Sequence, residues 1–261
     1  MPYKLNNKTV LITGASSGIG KACATLMAES GARLILIARR KDRLDALAAT
    51  LKQSYQTESY LIELDVSDHP AVKHCLDNLP EEWRAIDILL NNAGSAQGLN
   101  LLQEGDIDDW EKMIDVNIKG LLYMTRYILP NMIKRDFGHV INIGSIAGRQ
   151  TYPRGNVYSA TKYAVRALTE SLRLDLSGSQ VRVSSVDPGL VNTEFSAVRF
   201  KGDTAKANNV YANMTPLSAE DIADAVCYCA SRPPHVNISE ILIMPTMQAA
   251  ATVVHRTSEA K

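Results

Sequence analysis

The sequence predicts an α/β fold in which a single, doubly wound parallel sheet of about seven strands is covered by helices on both faces. Two observations lead to this prediction. Short runs of Val, Ile and Leu alternate with helical patterns along the chain, and the first apolar run leads through a glycine-rich turn into a helix. Such alternation is typical of parallel sheets, whose strands are covered on both faces. Residues 1–261 are expected to form one domain, a length that α/β domains often reach undivided.

The predicted elements follow one another without a long linker. The predicted strands are Thr9–Thr13, Leu34–Ala38, Ser59–Leu64, Ile86–Leu90, His139–Ile143, Val181–Val186 and Glu240–Met244. The predicted helices are Ile19–Ser30, Arg43–Ser54, Ala71–Leu79, Ile107–Arg135, Val157–Leu176 and Ala219–Ser231. Pro80 and the pair Pro233-Pro234 are interpreted as helix stops rather than domain boundaries. Right-handed crossovers then place a ligand beyond the carboxyl ends of the strands.

The turn after the first strand has the glycine pattern of a phosphate-binding loop. Its glycines are spaced Gly-x-x-x-Gly-x-Gly between an apolar run and a helix. Glycines let the backbone approach a pyrophosphate, whose charge a helix N-terminus favours. A plain βα turn would also use glycines, but strand, spacing and helix together favour nucleotide binding. The predicted phosphate-binding residues are Gly14, Ser16, Ser17, Gly18, Ile19 and Gly20.

The end of the second strand indicates which nucleotide is bound. An acidic residue here would bind the ribose 2′-hydroxyl and repel a 2′-phosphate. This chain has Ala38 followed by Arg39, Arg40 and Lys41, and arginine forks suit phosphate oxygens. A solvated basic helix start is the alternative, although a helix N-terminus disfavours basic residues. The interpretation is NADP(H) rather than NAD(H), bound through Arg39 and Arg40.

A tyrosine and a lysine four residues apart could supply acid–base chemistry. Tyr158 and Lys162 lie on one face of a predicted helix, with Ser145 upstream. The ammonium of Lys162 is expected to lower the pKa of Tyr158 from its usual value near ~10. The same spacing is common on half-buried helix faces, and only the nucleotide motif favours the catalytic interpretation.

In these motifs and their order, the chain is similar to the short-chain dehydrogenase/reductase family over nearly its whole length. The residues that carry the resemblance are Thr13–Gly20, Asn91–Gly94, Asn117, Ser145, Tyr158, Lys162, Pro188, Gly189 and Thr193. The resemblance implies a Rossmann-type fold and an NADP(H)-dependent oxidoreductase acting on CH–OH groups. One departure is Ser17, where many NADP-dependent members have a basic residue. The implied catalytic residues are Asn117, Ser145, Tyr158 and Lys162.

The resemblance also implies further cofactor contacts, for which simpler alternatives stay open. Asp65 and the backbone of Val66 would contact the adenine, although Asp65 could equally be a helix cap. Asn92, Ala93 and Gly94 would support the cofactor, although asparagine and glycine also mark tight turns. The contacts implied near the nicotinamide are Pro188, Gly189, Val191 and Thr193.

In the implied mechanism, Ser145 and Tyr158 donate hydrogen bonds to a carbonyl, and Tyr158 delivers the proton during reduction. Lys162 also bonds the nicotinamide ribose. Asn117 would perturb its helix, in which asparagine is a poor former, and hold a water on the proton path; a solvent-facing asparagine is the alternative. Residues 189–214 are expected to form a lid over the nicotinamide.

A narrower similarity concerns the substrate. Residues 155–158, 198–203, 234–238 and 254–256 resemble the NADP-dependent 3-hydroxy acid dehydrogenase group. That group is homotetrameric and interconverts serine, allo-threonine or other 3-hydroxy acids with 3-oxo acids or semialdehydes. A small acid needs a cationic anchor, and Arg149, Arg154 and Arg199 flank the predicted pocket, though each could be a surface arginine. Sulfoacetaldehyde, or a neutral aldehyde or ketone, stays open as the substrate.

Composition agrees with an enzyme that acts on a small molecule. Lys plus Arg and Asp plus Glu number 28 each, so no strong field favours nucleic acid or a membrane. No apolar run approaches the ~20 residues that span a bilayer, and no signal-peptide core is recognised. The four cysteines lack metal-ligand spacing and fit a reducing compartment, so a cytoplasmic protein without a metal is predicted.

Two other functional classes are weighed against the enzyme. One is an NADP-binding redox sensor without turnover, and the other is a structural protein that reuses the fold. The sensor would be expected to have a damaged catalytic set, whereas all of its members are present in this chain. A structural role would leave the complete acid–base set unexplained.

Overall fold

The computed structural model describes residues 3–257 and shows a seven-stranded parallel sheet. Its strands are β1 (Thr9–Thr13), β2 (Arg33–Ala38), β3 (Ser59–Glu63), β4 (Ile88–Asn91), β5 (Gly138–Ile143), β6 (Val181–Pro188) and β7 (Glu240–Ile243). Their order is β3-β2-β1-β4-β5-β6-β7, and every neighbouring pair is parallel. The predicted fold class, a doubly wound parallel α/β sheet, is confirmed.

Helices connect the strands and cover both faces of the sheet. They are α1 (Gly18–Glu29), α2 (Lys41–Tyr55), α3 (His69–Asp77), α4 (Ile107–Ile114), α5 (Leu121–Lys134), α6 (Asn156–Asp175), α7 (Glu194–Arg199), α8 (Thr204–Asn209) and α9 (Ala219–Ala230). The bounds of the predicted elements differ from these by at most two residues, with one exception. The predicted helix Ile107–Arg135 is divided into α4 and α5 by a π-helical turn, Asp115–Gly120.

The predicted lid and the end of the chain contain structure that the sequence did not indicate. Helices α7 and α8 both lie within residues 189–214. After β7 the chain forms an antiparallel hairpin of β8 (Gln248–Ala250) and β9 (Val253–Val254). It then returns to the lid, where the amide of Thr257 donates to the carbonyl of Asn213 at 2.9 Å. The end of the described chain is therefore tied to the lid of the same molecule.

Alternate residues of the central strands face opposite sides of the sheet, and each side has an apolar core. In β1, Val10 and Ile12 pack in the core that contains residues of α1, α2 and α9. Leu11 packs in the other core, with residues of α3 and α5. Burying one large apolar side chain contributes about 1.5–3 kcal/mol. The apolar cores on both faces therefore stabilise the sheet, from whose edge the loops extend.

The loops that follow the strands on their carboxyl side meet at one edge of the sheet. From β1 the strand order runs through β2 and β3 on one side and through β4 to β7 on the other. The winding direction reverses between β1 and β4, where a ligand cleft is typical of this fold. The residues brought to this edge include Gly14, Arg39, Asp65, Asn92, Ser145 and Pro188.

Candidate active site and cofactor cleft

The glycine-rich turn between β1 and α1 is tight because its glycines contact neighbouring backbone. Gly14 and Gly18 have φ angles of +67° and +51°, which favour glycine. A Cβ atom at Gly20 would lie 2.4 Å from the carbonyl oxygen of Gly14. Ser17, the N-cap of α1, makes no side-chain capping bond, and the first turn has no acidic residue. The positive end of the α1 dipole is therefore available to an anion.

Arg40 is held at the mouth of this turn. Its Nη2 donates to Oγ of Ser16 at 3.2 Å and to Oγ of Ser17 at 2.8 Å. Its Nη1 lies 3.0 Å from Oε2 of Glu194, and Oε1 of the same carboxylate lies 2.6 Å from Nη1 of Arg43. Ser17 thus helps to position a neighbouring arginine.

Asp65 lies beside Arg39 at the end of β3. Its Oδ1 accepts hydrogen bonds from N and Oγ of Ser67 at 3.0 and 2.6 Å, and its Oδ2 lies 3.6 Å from Nη1 of Arg39. Partial burial alone would raise the pKa of Asp65, but the Ser67 hydrogen bonds and the Arg39 charge lower it. The helix-cap alternative for Asp65 is wrong, because α3 is capped by Asp68, which accepts from the amide of Ala71.

The segment after β4 is fastened to the end of β1. The amides of Asn92 and Ala93 both donate to Oγ1 of Thr13, at 3.0 and 2.9 Å. The Asn92 side chain also donates to the carbonyl of Thr13 at 2.8 Å. A Cβ atom at Gly94 would lie 3.8 Å from Nζ of Lys162. This segment therefore links the glycine-rich turn to the predicted catalytic residues.

Asn117 lies in the π-helical turn Asp115–Gly120 and is 2% exposed. Its Nδ2 donates to the carbonyl of Ser95 at 2.9 Å, and its Oδ1 accepts from the Ser95 amide at 2.8 Å. The solvent-facing alternative is wrong, and the predicted perturbation of the helix is confirmed. A Cβ atom at Gly120 would lie 2.7 Å from Cγ2 of Val66, so the same turn packs against the predicted adenine contact. Single π-helical turns are frequent at functional sites.

Tyr158 is buried, and its surroundings decide its acidity. Burial raises the pKa of Tyr158 to about 12, and Tyr152 acts in the same direction. A hydrogen bond with Ser145 and the positive charge of Arg199 act in the opposite direction. Nζ of Lys162 lies 6.0 Å from the phenol ring centroid. The expectation of a lowered pKa is wrong for this structure, because burial outweighs the nearby charges.

Lys162 and Ser145 are both positioned by the end of β5. Nζ of Lys162 donates to the carbonyl of Ile143 at 2.9 Å. Burial lowers the pKa of Lys162 to about 8, and the charge of Asp187 acts in the opposite direction. Ser145 begins a 3₁₀ turn and accepts a hydrogen bond from the amide of Ala147 at 3.1 Å. The structure thus brings the serine, the tyrosine and the lysine together.

The first residues of the lid, which follow β6, are held by hydrogen bonds to the end of β7 and to a later residue of the lid. The amide of Gly189, which follows Pro188, donates to the carbonyl of Ile243 at 2.8 Å. The carbonyl of Val191 accepts from the hydroxyl of Tyr211 at 2.7 Å. The hydrogen bond of Gly189 places the start of the lid beside the end of β7.

The lid contacts residues on both sides of the cleft: the glycine-rich turn on one side, and Gly98 and α4 on the other. Thr193 caps α7, and its Cβ would lie 3.2 Å from a Cβ atom built at Gly18. The carbonyl of Arg199 accepts from the amide of Gly98 at 2.9 Å on the opposite wall. Nζ of Lys201 lies 2.9 Å from Oδ2 of Asp109 in α4. This arrangement covers the space between the glycine-rich turn and Tyr158.

Arg149 is paired with two carboxylates, and Arg154 lies on an exposed turn. The guanidinium of Arg149 lies 2.8 Å from Oδ2 of Asp187 and 2.5 Å from Oε2 of Glu240. Its charge is therefore already paired with carboxylates. Arg154 is exposed on the turn that precedes α6, with a φ of +66°. An anchoring role for either arginine stays a prediction.

Arg199 is the arginine that reaches Tyr158. Its guanidinium carbon lies 5.2 Å from the Tyr158 ring centroid. Nε donates to the carbonyl of Gly98 at 3.2 Å, and Nη2 donates to the hydroxyl of Tyr152 at 2.5 Å. Both partners are neutral, so the cation keeps its charge for an anion. The apolar and aromatic residues that cluster with Tyr158 are Ala96, Trp110, Met113, Ala147, Tyr152, Val157 and Phe195.

Several residues of the site were missed by the sequence analysis. Glu194 and Asp187 each adjoin a recognised motif, and that adjacency was the available signal. Tyr152 and Gln248 have no such signal, because only the fold brings them to the site. Oε1 of Gln248 accepts from the amide of Leu190 at 2.8 Å, next to Gly189.

Two other kinds of feature, a metal site and a membrane-spanning helix, are absent from the described residues. Within residues 3–257, no group of three or more His, Cys, Asp or Glu side chains is arranged to hold a metal ion. In the same part of the chain, no helix has both the length and the apolar character needed to cross a bilayer. All four cysteines are free thiols.

Comparison with known proteins places this geometry in a family. The short chain dehydrogenase family model matches residues 8–204. The NADP-dependent 3-hydroxy acid dehydrogenase YdfG of Salmonella typhi is 48% identical over 250 residues, which cover 95% of this chain and 99% of that protein. The NADP-dependent 3-hydroxy acid dehydrogenase of Schizosaccharomyces pombe is 43% identical over 254 residues, covering 97% and 98%.

A solved structure agrees with these sequence matches. The closed form of a serine dehydrogenase complexed with NADP⁺ is 46% identical and has a TM-score of 0.89, covering 95% of this chain and 100% of that one. The match therefore extends over the sheet, the cleft and the lid. By sequence and by fold, the chain belongs to the short chain dehydrogenase family, a family of oxidoreductases.

Proposed function

We propose that the chain uses NADP(H) to interconvert a small 3-hydroxy acid, of the serine, allo-threonine or 3-hydroxypropionate type, with its 3-oxo acid or semialdehyde. The observation that carries this proposal is the guanidinium of Arg199, 5.2 Å from the ring centroid of Tyr158, which packs in a cluster of apolar and aromatic side chains. An acid group bound by Arg199 leaves a nearby carbonyl at the Tyr158 hydroxyl. Relatives named as 3-hydroxy acid and serine dehydrogenases support this substrate class.

The cleft residues fit an NADP(H) molecule. The close approach of Gly20 to Gly14 and the N-terminus of α1 suit a pyrophosphate. Arg39 and Arg40 suit a 2′-phosphate, which NAD(H) lacks. Bound there, the nicotinamide supplies the hydride. The other residues proposed to contact the cofactor are Ser16, Ser17, Gly18, Ile19, Asp65, Val66, Asn92, Ala93, Gly94, Tyr158, Lys162, Pro188, Gly189, Val191 and Thr193.

The catalytic residues divide the proton chemistry between them. With a pKa of about 12, Tyr158 is protonated at neutral pH and can donate its proton to a carbonyl oxygen. Ser145 donates a second hydrogen bond to that oxygen as negative charge develops. With a pKa of about 8, Lys162 is mostly charged at pH 7, so it balances the phenolate that remains. Asn117 holds the π-helical turn in which a water could return a proton to the lysine.

These pKa values favour reduction over oxidation at neutral pH. In the oxidative direction Tyr158 must lose its proton before it can act as a base. Burial opposes that step by raising the pKa of Tyr158 to about 12. The oxidative rate is therefore expected to rise with pH.

The substrate class is tested with a panel of carbonyl compounds. Initial rates of NADPH oxidation are measured with malonate semialdehyde, sulfoacetaldehyde and the neutral aldehyde propanal. We expect a strong preference for malonate semialdehyde over propanal. Arg199→Gln should lose about 10- to 100-fold in kcat/KM for the acid, because a charge-assisted hydrogen bond contributes about 1.5–3 kcal/mol. Its rate with propanal should change little.

A matched substitution and two outcomes complete this test. Arg154→Gln removes an exposed arginine near the same pocket and should leave all rates unchanged. If the wild-type enzyme prefers propanal, the proposal that Arg199 binds the acid group of the substrate is contradicted. Tight NADPH binding without reduction of any carbonyl compound would favour a redox sensor instead.

Sulfoacetaldehyde is the second candidate substrate. The Arg199 fork can bind a sulfonate as well as a carboxylate, and both of its neutral partners leave it charged. A higher kcat/KM for sulfoacetaldehyde than for malonate semialdehyde would assign the chain to sulfonate chemistry.

We also propose a cytoplasmic homotetramer. Free cysteines are typical of reducing compartments. Helices α5 and α6 expose Leu122 and Leu174, which are 40% and 77% accessible. Exposed leucines on long helices suit an interface between subunits.

A further inference from the structure

A buried carboxylate lies directly behind the active site. Asp187 is 2% exposed and accepts hydrogen bonds from Nε and Nη2 of Arg149 at 2.9 and 2.8 Å. Nη2 of Arg149 also donates to Oε2 of Glu240 at 2.5 Å. The hydroxyl of Tyr163 donates to the carbonyl of Arg149 at 2.6 Å. The arginine is thus fixed between two carboxylates from β6 and β7.

Asp187 touches the backbone that carries the reacting groups. A Cβ atom at Gly144 would lie 2.0 Å from Oδ1 of Asp187. Gly144 connects Ile143, whose carbonyl binds Nζ of Lys162, to Ser145. The carboxylate therefore packs against the one peptide segment that positions both the ammonium and the serine hydroxyl.

The charge of Asp187 also acts on the lysine. Burial lowers the pKa of Lys162 to about 8, and the carboxylate of Asp187 opposes this effect. Two neutral groups also lie near the lysine. A Cβ atom at Gly94 would lie 3.3 Å from Oδ1 of Asn117 and 3.8 Å from Nζ of Lys162, and the Tyr158 ring centroid lies 6.0 Å from the same Nζ. The guanidinium of Arg149 lies behind Asp187 and offsets part of its charge.

We propose that Asp187 is a positioning residue of the active site, which seats the Ile143–Ser145 backbone and supplies the negative charge that keeps Lys162 in its ammonium form. Arg149, paired with Glu240, sets how much of that charge the lysine experiences. This inference rests on the proposed function, because it assigns Asp187 a role in the chemistry of Tyr158 and Lys162. It also explains why the guanidinium of Arg149 is turned away from the substrate.

The proposal predicts opposite effects from two substitutions. Asp187→Asn keeps the shape of the side chain but removes its charge, so the pH at which Lys162 loses its proton should fall by about one unit. Arg149→Gln removes the compensating cation, so the same pH should rise. In Glu240→Gln, Arg149 pairs with Asp187 alone and offsets more of its charge. The pH at which Lys162 loses its proton should then fall by less than in Asp187→Asn.

Two measurements report this pH. The first is the alkaline limb of kcat/KM for NADPH-dependent reduction by the full chain. The second is a ¹³C NMR titration of enzyme labelled at lysine Cε, in which the Lys162 resonance is assigned by its loss in Lys162→Arg. The titration needs no turnover, so failure of the proposed reaction and failure of this inference are distinguishable. Asp77→Asn, which removes a surface carboxylate paired with Lys73, is the matched control and should shift neither measurement.

The outcomes decide the proposal. The proposal is supported if the pH at which Lys162 loses its proton falls in Asp187→Asn and rises in Arg149→Gln. A Lys162 titration in Asp187→Asn that coincides with the wild-type curve overturns it, as do shifts of the same sign in the two variants. If Arg149→Gln does not fold, Asp187→Asn and Glu240→Gln decide, and both must then lower the pH of the Lys162 transition.

Discussion

At the scale of single residues, one physical cause moves the two titrating groups of the site in opposite directions. Burial disfavours the charged form of each group. It therefore raises the pKa of Tyr158 to about 12 and lowers the pKa of Lys162 to about 8. At pH 7 the tyrosine keeps its proton and the lysine keeps most of its charge. Groups whose pKa values are separated in this way can act as an acid and its electrostatic partner.

Replacement of Tyr158 tests this assignment. Tyr158→Phe removes the only atom that delivers the proton, so kcat should fall by at least about 10²–10⁴-fold. The phenyl ring still fills the buried site, so the dissociation constant for NADPH, measured by fluorescence, should change only a few-fold. Tyr228→Phe, at an exposed tyrosine of α9, is the control and should retain most activity. Near-normal turnover by Tyr158→Phe would contradict the assignment of Tyr158 as the proton donor.

At the scale of elements, two turns shape the cleft by bringing backbone unusually close. The π-helical turn Asp115–Gly120 buries Asn117 beside the lysine. The glycine-rich turn brings Gly20 against Gly14, where a Cβ atom would lie 2.4 Å from the carbonyl oxygen. Glycine spacing reveals the second turn in the sequence. The π-helical turn has no comparable signal, since its residues fit an ordinary helical pattern.

The glycine-rich turn gives a prediction about cofactor binding. Gly20→Ala forces the backbone of β1 and α1 apart, and overpacking of this kind costs about 1–3 kcal/mol. We expect a lower melting temperature and a strong loss of NADPH affinity, measured by thermal unfolding and fluorescence titration. Gly178→Ala is the control, because a Cβ atom there meets nothing within 4 Å. That variant should keep normal NADPH affinity despite its strained φ of +92°, and equal losses in the two variants would refute the steric explanation.

At the scale of the whole molecule, the sheet order collects residues from six strands at one edge. The strand order reverses between β1 and β4, which creates the cleft between the two halves of the sheet. The long helices α5 and α6 lie on the flanks, where they expose Leu122 and Leu174. These leucines are not needed by the internal core.

Assembly provides the prediction at this scale. Light scattering of the purified chain should give a mass four times that of one chain. Leu174→Glu places a charge on the exposed face of α6, and it should reduce that mass if this face is buried between subunits. Lys134→Glu changes charge at the end of α5 without removing apolar surface and serves as the control. A monomeric wild-type chain would contradict the tetramer.

The sequence by itself determined the parallel α/β fold, the strands of the main sheet, most of the helices that cover it and the phosphate-binding turn. These features depend on local spacing: apolar runs, glycine positions and residues four apart on a helix. The convergence of Ser145, Tyr158 and Lys162 also followed from the sequence, because the fold class places loops after strands at one edge.

The tertiary structure alone decided which arginine lies beside Tyr158 and how burial shifts the pKa values of Tyr158 and Lys162. Arg149 is paired with carboxylates 38 and 91 residues away in the sequence, whereas Arg199 meets Gly98 and Tyr152 from across the cleft. Burial, which no local pattern reports, reversed the expected shift in the pKa of Tyr158. Charge pairing and desolvation depend on groups that only folding brings together, and for that reason the sequence could name the residues but not their partners.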